Sequence, residues 1–393
     1  MFGLFGIGNF GNEATLTAVL ERIGDRGRVL VVAEGAERVA RERGLAAVQL
    51  VPPSTGSTRS VAGAVRVAAN RLSALPRAWH VLRDVDVVVV AGGGAWERLG
   101  AGPFGTAFEI WSLALAARAR RRTFVLLDVG VQEQDARLTR FFVRQVARWS
   151  AYRSVRDELS RRSLLAMGAG RPDDPVVADL VLGSSRTSDV ADRRAGSGRP
   201  VVVGVMSYFA EDDDPDRRAE VHERYVDRSV RLVDLLTAAG HPVVLVGGDE
   251  CDLPTAHEIA SSSAAQVSSA GDVAELTSLM SRASVVVGAR YHTLVVGALA
   301  GAPVIALAYG TKHGELLRAL GSGDLSFDIE TFEPSVVAAA VDQVVVEREH
   351  RRLDADRAIT AAAARLDREW VTVARLWETD DRSPATSLVE EGR

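Results

Sequence analysis

The sequence predicts an α/β protein built from two Rossmann-like domains that face each other across a cleft. Short runs of β-branched residues alternate with amphipathic stretches along the chain, which is typical of parallel strands joined by crossover helices. A length of 393 residues suffices for two domains, each with its own core. A polar segment rich in Ser, Gly and Arg, residues 184 to 200, has no hydrophobic period and separates the two halves.

The predicted order of elements follows this alternation. We expect a first domain at residues 1–185, a linker at 186–200 and a second domain at 201–345. Helices at 346–378 are expected to pack back on the first domain, and the polar tail at 379–393 to be flexible. The predicted strands are residues 28–33, 85–91, 123–128, 201–206, 243–247, 284–288 and 303–308.

Composition and charge exclude several classes of protein. With 47% hydrophobic and 25% charged residues the chain is neither disordered nor fibrous, and a net charge of −5 without a basic stripe argues against nucleic-acid binding. A single cysteine, Cys251, cannot form an internal disulfide, and the N-terminal residues do not resemble a secretion signal. The longest apolar run, Leu294 to Gly310, is too short and too broken to span a membrane. We therefore expect a cytoplasmic protein without a transmembrane segment.

Lysine usage singles out one position. Lys312 is the only lysine among 47 basic residues, the other 46 being arginine. A lysine offers a compact point charge, whereas an arginine offers a broad planar fork, so the two are not interchangeable at a tight site. Lys312 follows the triplet Arg290-Tyr291-His292 by about 20 residues, and both stand after a predicted strand, where a helix starts. Such an array of cations suits a small anion carrying phosphate or carboxylate.

Three loops of the N-terminal half also follow strands. The loop Gly6 to Gly11 matches G-x-G-x-x-G, and Glu34 ends the next strand, so a dinucleotide site is one interpretation. The same loop carries Asn9, Asn12 and Glu13, which suit sugar hydroxyls. The other two loops carry glycines or an acid that can line a ligand site: Gly92, Gly93, Gly94 and Asp128.

Four segments between residues 6 and 321 carry a family resemblance. They are GNFGNEATLTAVL, VVVVAGGGAW, SVRDELSRRSLLAMG followed by Asp179, and GARYHTLVVGALAGAPVIALAYGTKHGELLRALG. The last contains an Arg-x-His, an Ala- and Gly-rich helix, a Pro-Val strand and a Tyr-x-x-Lys turn. In these features the chain resembles the polysaccharide pyruvyl transferase family.

The resemblance implies a fold of the glycosyltransferase B type and a function. The family implies phosphoenolpyruvate as donor, a sugar diol as acceptor and a pyruvate ketal as product, without a cofactor or metal. The first domain would then lie on the acceptor side and the second on the donor side. The acceptor-site candidates are Asn9, Asn12, Glu13, Gly92, Gly93, Gly94 and Asp128. Arg290 and His292 match the donor-site arginine and histidine of the family, and Lys312 matches the lysine of its turn. Arg156 matches an arginine of its Arg-Asp motif, so we expect Arg156, Arg290 and Lys312 to bind the donor and His292 to act as general acid, with Arg290 beside it in catalysis.

Departures from the family pattern bear on the acceptor. This chain has Gly11-Asn12 where the family often has Gly-Asp, and Gly310-Thr311 where it has Asp-Pro. The acceptor sugar, the ketal linkage, the base, lipid attachment of the acceptor and the oligomeric state stay open. Three other functions also stay open: a nucleotide-sugar-dependent glycosyltransferase, an NAD(P)-dependent oxidoreductase, and a non-catalytic module that binds an anion or sugar.

Overall fold

The protein divides into two compact units, seen in a computed structural model. The residues described are 1–52, 69–94, 96–97, 104–184, 198–209, 214–268 and 270–380. Most of the predicted linker, residues 185–197, and the tail 381–393 lie outside them. The first unit comprises Met1–Gly6, Arg22–Asp179 and Ala364–Arg393, and the second Ile7–Glu21 and Leu180–Ala363.

The first unit is built on parallel strands. Two sheets have the orders β1-β2 and β3-β4-β5, and Phe2 bridges both β1 and β3. The strands are β1 Leu30–Val32, β2 Ala46–Val48, β3 Val87–Ala91, β4 Thr123–Val129 and β5 Tyr152–Val155. The helices are Ala36–Arg43, Ala74–Val81, Thr106–Ala119, Arg137–Trp149 and Glu158–Ala166.

The second unit contains one six-stranded parallel sheet. Its order is β11-β10-β9-β6-β7-β8, so consecutive strands move outward in both directions from β6. The strands are β6 Val201–Val205, β7 Val243–Gly247, β8 Gln266–Val267, β9 Val285–Gly288, β10 Val304–Ala308 and β11 Ser326–Asp328. The helices are Phe10–Ile23, Pro215–Ala238, Leu253–Ser261, Val273–Ser281, Tyr291–Leu299, Thr311–Ala319, Pro334–Val346 and Arg348–Asp380, the first and the last of which extend into the first unit.

The predicted strands are the buried ones. β6 and β9 are valine-rich and fully buried, as expected for parallel strands covered on both faces. The sequence missed β2, β5, β8 and β11, which have two to four residues each and end their sheets. An edge strand needs less apolar surface than a central one, so its sequence lacks a run of valines and carries a weak strand signal.

Near each end of the chain, one segment belongs to a different unit from the residues beside it in sequence. The sequence predicted that residues 1–185 form the first domain, but the segment Ile7–Glu21 packs with the second unit. The helix Arg348–Asp380 begins in the second unit, and from Ala364 onward it packs with the first. No helix within the described ranges is long and apolar enough to cross a membrane.

Candidate functional site

The cationic residues of the second unit lie where strands β9 and β10 end. β9 and β10 are adjacent and parallel, with Val304 beside Val286 and Ala306 beside Gly288. Arg290 precedes the helix Tyr291–Leu299, and Lys312 is the second residue of the helix Thr311–Ala319. Two helix N-termini therefore open at the same edge of the sheet as the two cations, an arrangement that favours an anion.

Arg290 is held by a carboxylate that the sequence did not indicate. Its Nε donates to Asp252 Oδ2 at 2.9 Å and its Nη2 to Oδ1 at 2.7 Å, a bidentate pair. The Asp252 side chain is fully buried. Burial alone would lower the pKa of Arg290, but the hydrogen bonds and charge of Asp252 outweigh it and raise that pKa. Arg290 is thus a fixed cation, with one edge of its guanidinium bound to Asp252.

Asp252 also fixes the neighbouring turns. Its Oδ1 accepts a hydrogen bond from the backbone N–H of Ser207, which follows β6, at 2.9 Å. The Ser207 hydroxyl donates to the carbonyl of Cys251 at 2.6 Å. Partial burial and the charge of Asp252 raise the pKa of the Cys251 thiol to about 12. Cys251 therefore stays a neutral thiol at physiological pH and is a poor nucleophile.

His292 packs against the helix Phe10–Ile23. A Cβ added to Gly11 would lie 2.0 Å from His292 Cγ and Nδ1, so only glycine permits this approach. The imidazole is perpendicular to the ring of Tyr291, with centroids 5.3 Å apart. Gly11, which the sequence placed in a nucleotide or sugar loop, serves here to admit the histidine ring.

Lys312 lies between aromatic rings. Its Nζ is 5.0 Å from the centroid of the Tyr309 ring and 5.9 Å from that of Tyr291, within the range of cation–π attraction. Only 9% of the residue is exposed. The ammonium is therefore largely buried and lies near two aromatic rings.

His313 joins the turns that carry these residues. It is fully buried, its Nε2 lies 3.1 Å from the carbonyl oxygen of Ala289, and its Nδ1 lies 3.1 Å from that of Gly310. Ala289 precedes Arg290, and Gly310 precedes the helix of Lys312. The imidazole thereby fixes the spacing of the two turns.

The predicted acceptor residues of the N-terminal loop belong to the second unit. The Asn9 side chain accepts from the N–H of Asn12 at 3.1 Å and donates to Asp249 Oδ2 at 3.0 Å. Asn12 and Glu13 are half-buried in the first turn of the helix Phe10–Ile23. Asn9 therefore caps that helix and ties it to the end of β7, and its contact with an acceptor stays a prediction.

Acidic side chains beside the loop Gly6 to Gly11 argue against the dinucleotide interpretation. A Cβ added to Gly8 would lie 2.7 Å from a carboxylate oxygen of Glu250, and Asp249 faces Asn9. Gly6 approaches the backbone of Gly35 so closely that a Cβ would lie 2.2 Å from its carbonyl oxygen. Two carboxylates beside a glycine loop disfavour a pyrophosphate, and close backbone packing accounts for Gly6.

Arg156 lies in the first unit among carboxylates. It forms ion pairs with Glu97 and, at 3.2 Å, with Asp157, and Asp179 is 4.0 Å away. The side chain is 4% exposed. Asp157 also caps the helix Glu158–Ala166 by accepting from the N–H of Ser160 at 2.7 Å. Donor binding by Arg156 stays a prediction from the family motif.

The glycines after β3 pack closely around Arg156 and its ion-pair partner Glu97. Gly92 and Gly93 have positive φ angles of 49° and 63°, which favour glycine. The N–H of Gly130 donates to the carbonyl of Gly93 at 2.8 Å, and a Cβ on Gly130 would lie 2.7 Å from Arg156 Cζ. A Cβ on Gly94 would meet the Glu97 carboxylate at 2.8 Å. These glycines make room for the Arg156 ion pairs, and their acceptor role stays a prediction.

Asp128, a predicted acceptor-site residue, is buried beside another acid. It is the penultimate residue of β4, has a positive φ of 50° and is fully buried. Within the described residues neither of its carboxyl oxygens accepts from an N–H or O–H group. Burial and the charge of Glu369 raise the pKa of Asp128 well above its ordinary range, and burial also raises that of Glu369. The Tyr152 hydroxyl donates to Glu369 Oε1 at 3.0 Å. Burial of two neighbouring carboxyls therefore favours the neutral form of Asp128.

Sequence reasoning missed Asp252 and Glu369. Asp252 follows β7 in the stretch Gly247-Gly248-Asp249-Glu250-Cys251-Asp252, and the three acids after a strand end were a usable signal. Glu369 stands on the buried stripe of its helix among Leu366, Trp370 and Val373, so an acid at an apolar position was the signal there. Within the described ranges, no group of three His, Cys, Asp or Glu side chains is arranged to hold a metal ion.

Solved structures identify the class of fold. A UDP-GlcNAc 2-epimerase of Neisseria meningitidis has a TM-score of 0.57 at 13% identity, covering 94% of this chain and 98% of that chain. A glycosyltransferase of Rickettsia africae has a TM-score of 0.59 at 11% identity, covering 98% of both chains. The glycosyltransferase of kitacinnamycin has a TM-score of 0.54 at 14% identity, covering 96% and 98%. The chain therefore has the glycosyltransferase B type of fold.

A family model gives the narrower assignment. The model described as polysaccharide pyruvyl transferase matches residues 9–311, and the chain belongs to that family. The match includes Arg156, Arg290 and His292 and ends one residue before Lys312. No curated protein matches the chain.

Removing the Asp252 charge is expected to destabilise the second unit. In Asp252→Asn the Arg290 guanidinium loses its bidentate partner, which costs about 3 kcal/mol in the free energy of unfolding for a buried pair. Denaturant unfolding measures this difference. Asp342→Asn is the control, because Asp342 is exposed and pairs only with His241 at the surface, so a loss below about 1 kcal/mol is expected. Equal losses in both variants would contradict the role of Asp252.

Replacing Asp128 is expected to stabilise the protein as pH rises. The pKa of Asp128 is higher in the folded protein than in the unfolded chain. Its contribution to the free energy of unfolding is therefore fully present below the unfolded-state pKa and is lost as pH rises through the folded-state pKa. Asp128→Asn removes this loss, and asparagine tolerates the positive φ. At alkaline pH we expect a gain of about 1–3 kcal/mol that vanishes in acid. Thermal unfolding across pH, with the exposed Asp86→Asn as control, measures the gain; a pH-independent effect would contradict the raised pKa of Asp128.

Proposed function

We propose that the protein transfers the pyruvyl group of phosphoenolpyruvate to a sugar diol, forming a pyruvate ketal and releasing phosphate. The observation that carries this proposal is the grouping of Arg290, His292 and Lys312 at the ends of β9 and β10 in a member of the pyruvyl transferase family. No cofactor or metal enters the proposed reaction.

Donor binding follows from the charges at this edge of the sheet. Phosphoenolpyruvate carries a phosphate and a carboxylate on few atoms, so it needs cations and N–H donors in a small volume. Arg290 and Lys312 supply two cations, and the helices Tyr291–Leu299 and Thr311–Ala319 supply backbone N–H groups. Both polar ends of the donor can then be neutralised without a metal ion.

His292 is the proposed general acid. The protonated imidazole delivers its proton to the methylene carbon and leaves an oxocarbenium-like centre at the adjacent carbon. One sugar hydroxyl adds to that centre and loses its proton to a base. The carbon–oxygen bond to phosphate then breaks, and the departing phosphate takes the proton held by the base. The second hydroxyl closes the ketal ring and gives its proton to the imidazole, which restores the general acid. Each turnover consumes one donor and one diol and yields one ketal and one phosphate.

The acidic end of β7 favours a compact donor over a nucleotide sugar. The Neisseria epimerase of similar fold was solved with UDP-GlcNAc, so a nucleotide-sugar-dependent transfer is the rival. In this chain Asp249, Glu250 and Asp252 follow β7, beside the loop Gly6 to Gly11. An extended diphosphate that reached this loop would meet like charges, whereas a donor held between Arg290 and Lys312 would not.

A donor and acceptor screen that reads phosphate release tests the proposal. We expect release with phosphoenolpyruvate and a sugar diol, and none when a nucleotide sugar replaces the donor. His292→Gln is expected to lower kcat about 100-fold or more, because proton transfer is lost, while donor affinity changes much less. Donor affinity is measured by the thermal shift that phosphoenolpyruvate produces.

His350→Gln serves as the control, because His350 is an exposed histidine on another helix. It should retain full activity. Equal losses of kcat and donor affinity in His292→Gln would exclude a general-acid role, and turnover with a nucleotide sugar alone would replace the proposed reaction by glycosyl transfer.

The variant Lys312→Arg tests whether this position requires the smaller cation. The larger guanidinium must fit where the ammonium now lies beside the rings of Tyr309 and Tyr291, so we expect about a ten-fold or greater loss of kcat/KM with the charge retained. Steady-state kinetics with varied donor measures it, and Lys312→Gln shows the loss when the charge is removed. Full activity of Lys312→Arg would mean that charge alone matters.

A further inference from the structure

The helix Arg137–Trp149 in the first unit has a cationic face that the proposed reaction does not use. Its sequence, RLTRFFVRQVARW, contains four arginines and no acid. Thr139, Phe142, Val143, Val146 and Ala147 face the core. The basic-aromatic face, as we name the outer side, consists of Arg137, Leu138, Arg140, Phe141, Arg144 and Arg148.

Apolar side chains are exposed between these arginines. Phe141 is 46% exposed and Leu138 is 38% exposed. Phe104, 42% exposed, lies edge-on to Phe142 with ring centroids 6.5 Å apart, and it extends the apolar area towards the helix Thr106–Ala119. Large apolar side chains clustered at a surface and bordered by charges mark an interaction site.

The arginines of this face have no acidic partners in the described part of the chain. Arg140 donates to the carbonyl of Ala166 at 3.0 Å, and Arg144 donates to the carbonyl of Met167. Neither Arg137 nor Arg148 forms an ion pair with a carboxylate that the structure describes. Elsewhere the protein pairs such residues: Arg351 and Arg352 on the C-terminal helix each bind two carboxylates. The contrast leaves a concentrated positive charge on one helix of a protein whose net charge is −5.

We infer that the basic-aromatic face docks onto an anionic lipid bilayer. A helix that lies in the interface plane inserts its apolar side chains at the headgroup boundary and sets arginines against anionic headgroups. Phe141 and Leu138 supply the apolar contact, and Arg137, Arg144 and Arg148, all exposed, supply the charge. Two acids, Glu133 and Asp135, precede the helix at its N-terminal end, where the helix dipole favours them.

Charge argues against two other occupants. A second copy of the chain, related by a twofold axis through this face, would bring arginines against arginines. A nucleic acid would use the arginines but would leave Phe141 and Leu138 without an apolar partner. An anionic bilayer satisfies both kinds of side chain, and the docking is independent of which group the enzyme transfers.

Vesicle binding by the full chain tests the inference. We expect cosedimentation with vesicles of phosphatidylcholine and phosphatidylglycerol, little with phosphatidylcholine alone, and release at high salt. Arg137→Gln and Arg148→Gln should each weaken binding about five-fold, and Phe141→Ser about ten-fold. Within the described residues neither arginine side chain forms a hydrogen bond or an ion pair, so folding should be unaffected. Far-UV circular dichroism and the unfolding midpoint check this.

Matched controls come from the C-terminal helix. Val371 is 57% exposed and Arg368 is exposed on the part of that helix that belongs to the first unit. Val371→Ser and Arg368→Gln should leave vesicle binding unchanged. Absence of vesicle binding, equal binding to uncharged vesicles, or the same loss in control and face variants would overturn the inference.

Discussion

The Asp252 carboxylate is the constraint on which the candidate site depends. It is fully buried, accepts two hydrogen bonds from Arg290 and accepts a third from the backbone of Ser207. One side chain after β7 thereby fixes the turn after β6 and the turn after β9. A buried carboxylate is stable only with such partners, so the geometry of Arg290 and the burial of Asp252 require each other. Arg290 is therefore positioned by a buried side chain of the unit.

Topology explains why a few residues suffice. The order β10-β9-β6-β7 places the ends of four parallel strands side by side, although the residues that follow them are far apart in sequence. His313 links the turns after β9 and β10, as Asp252 links those after β6, β7 and β9. Gly11 then admits the ring of His292 against the N-terminal helix. Each contact is local to a strand end, and together they place a histidine, an arginine and a lysine near the same pair of helix N-termini.

The sequence predicted what depends on local pattern and missed what depends on distant partners. The central strands, the two-unit fold and the positions of Arg290, His292 and Lys312 after strands follow from valine runs and a family motif. The edge strands β2, β5, β8 and β11 could not be predicted in this way, because strands of two to four residues carry little periodicity. Glu369 could not be paired with Asp128, because 241 positions separate them, and Asn9 could not be paired with Asp249, which is 240 positions away. Residue type indicated polarity in these cases, but only the fold supplied the partner.

The distribution of charge along the sheet edge limits where an anion can lie. Acids follow β7 in Asp249, Glu250 and Asp252, whereas Arg290, Lys312 and two helix N-termini follow β9 and β10. Over a few ångströms the electrostatic environment therefore changes from repelling to attracting an anion. The glycosyltransferase B fold does not itself indicate which donor binds, since proteins of similar fold include epimerases and glycosyltransferases. What favours a small polyanionic donor is this local division of charge, because an extended diphosphate placed along the edge would cross from one zone into the other.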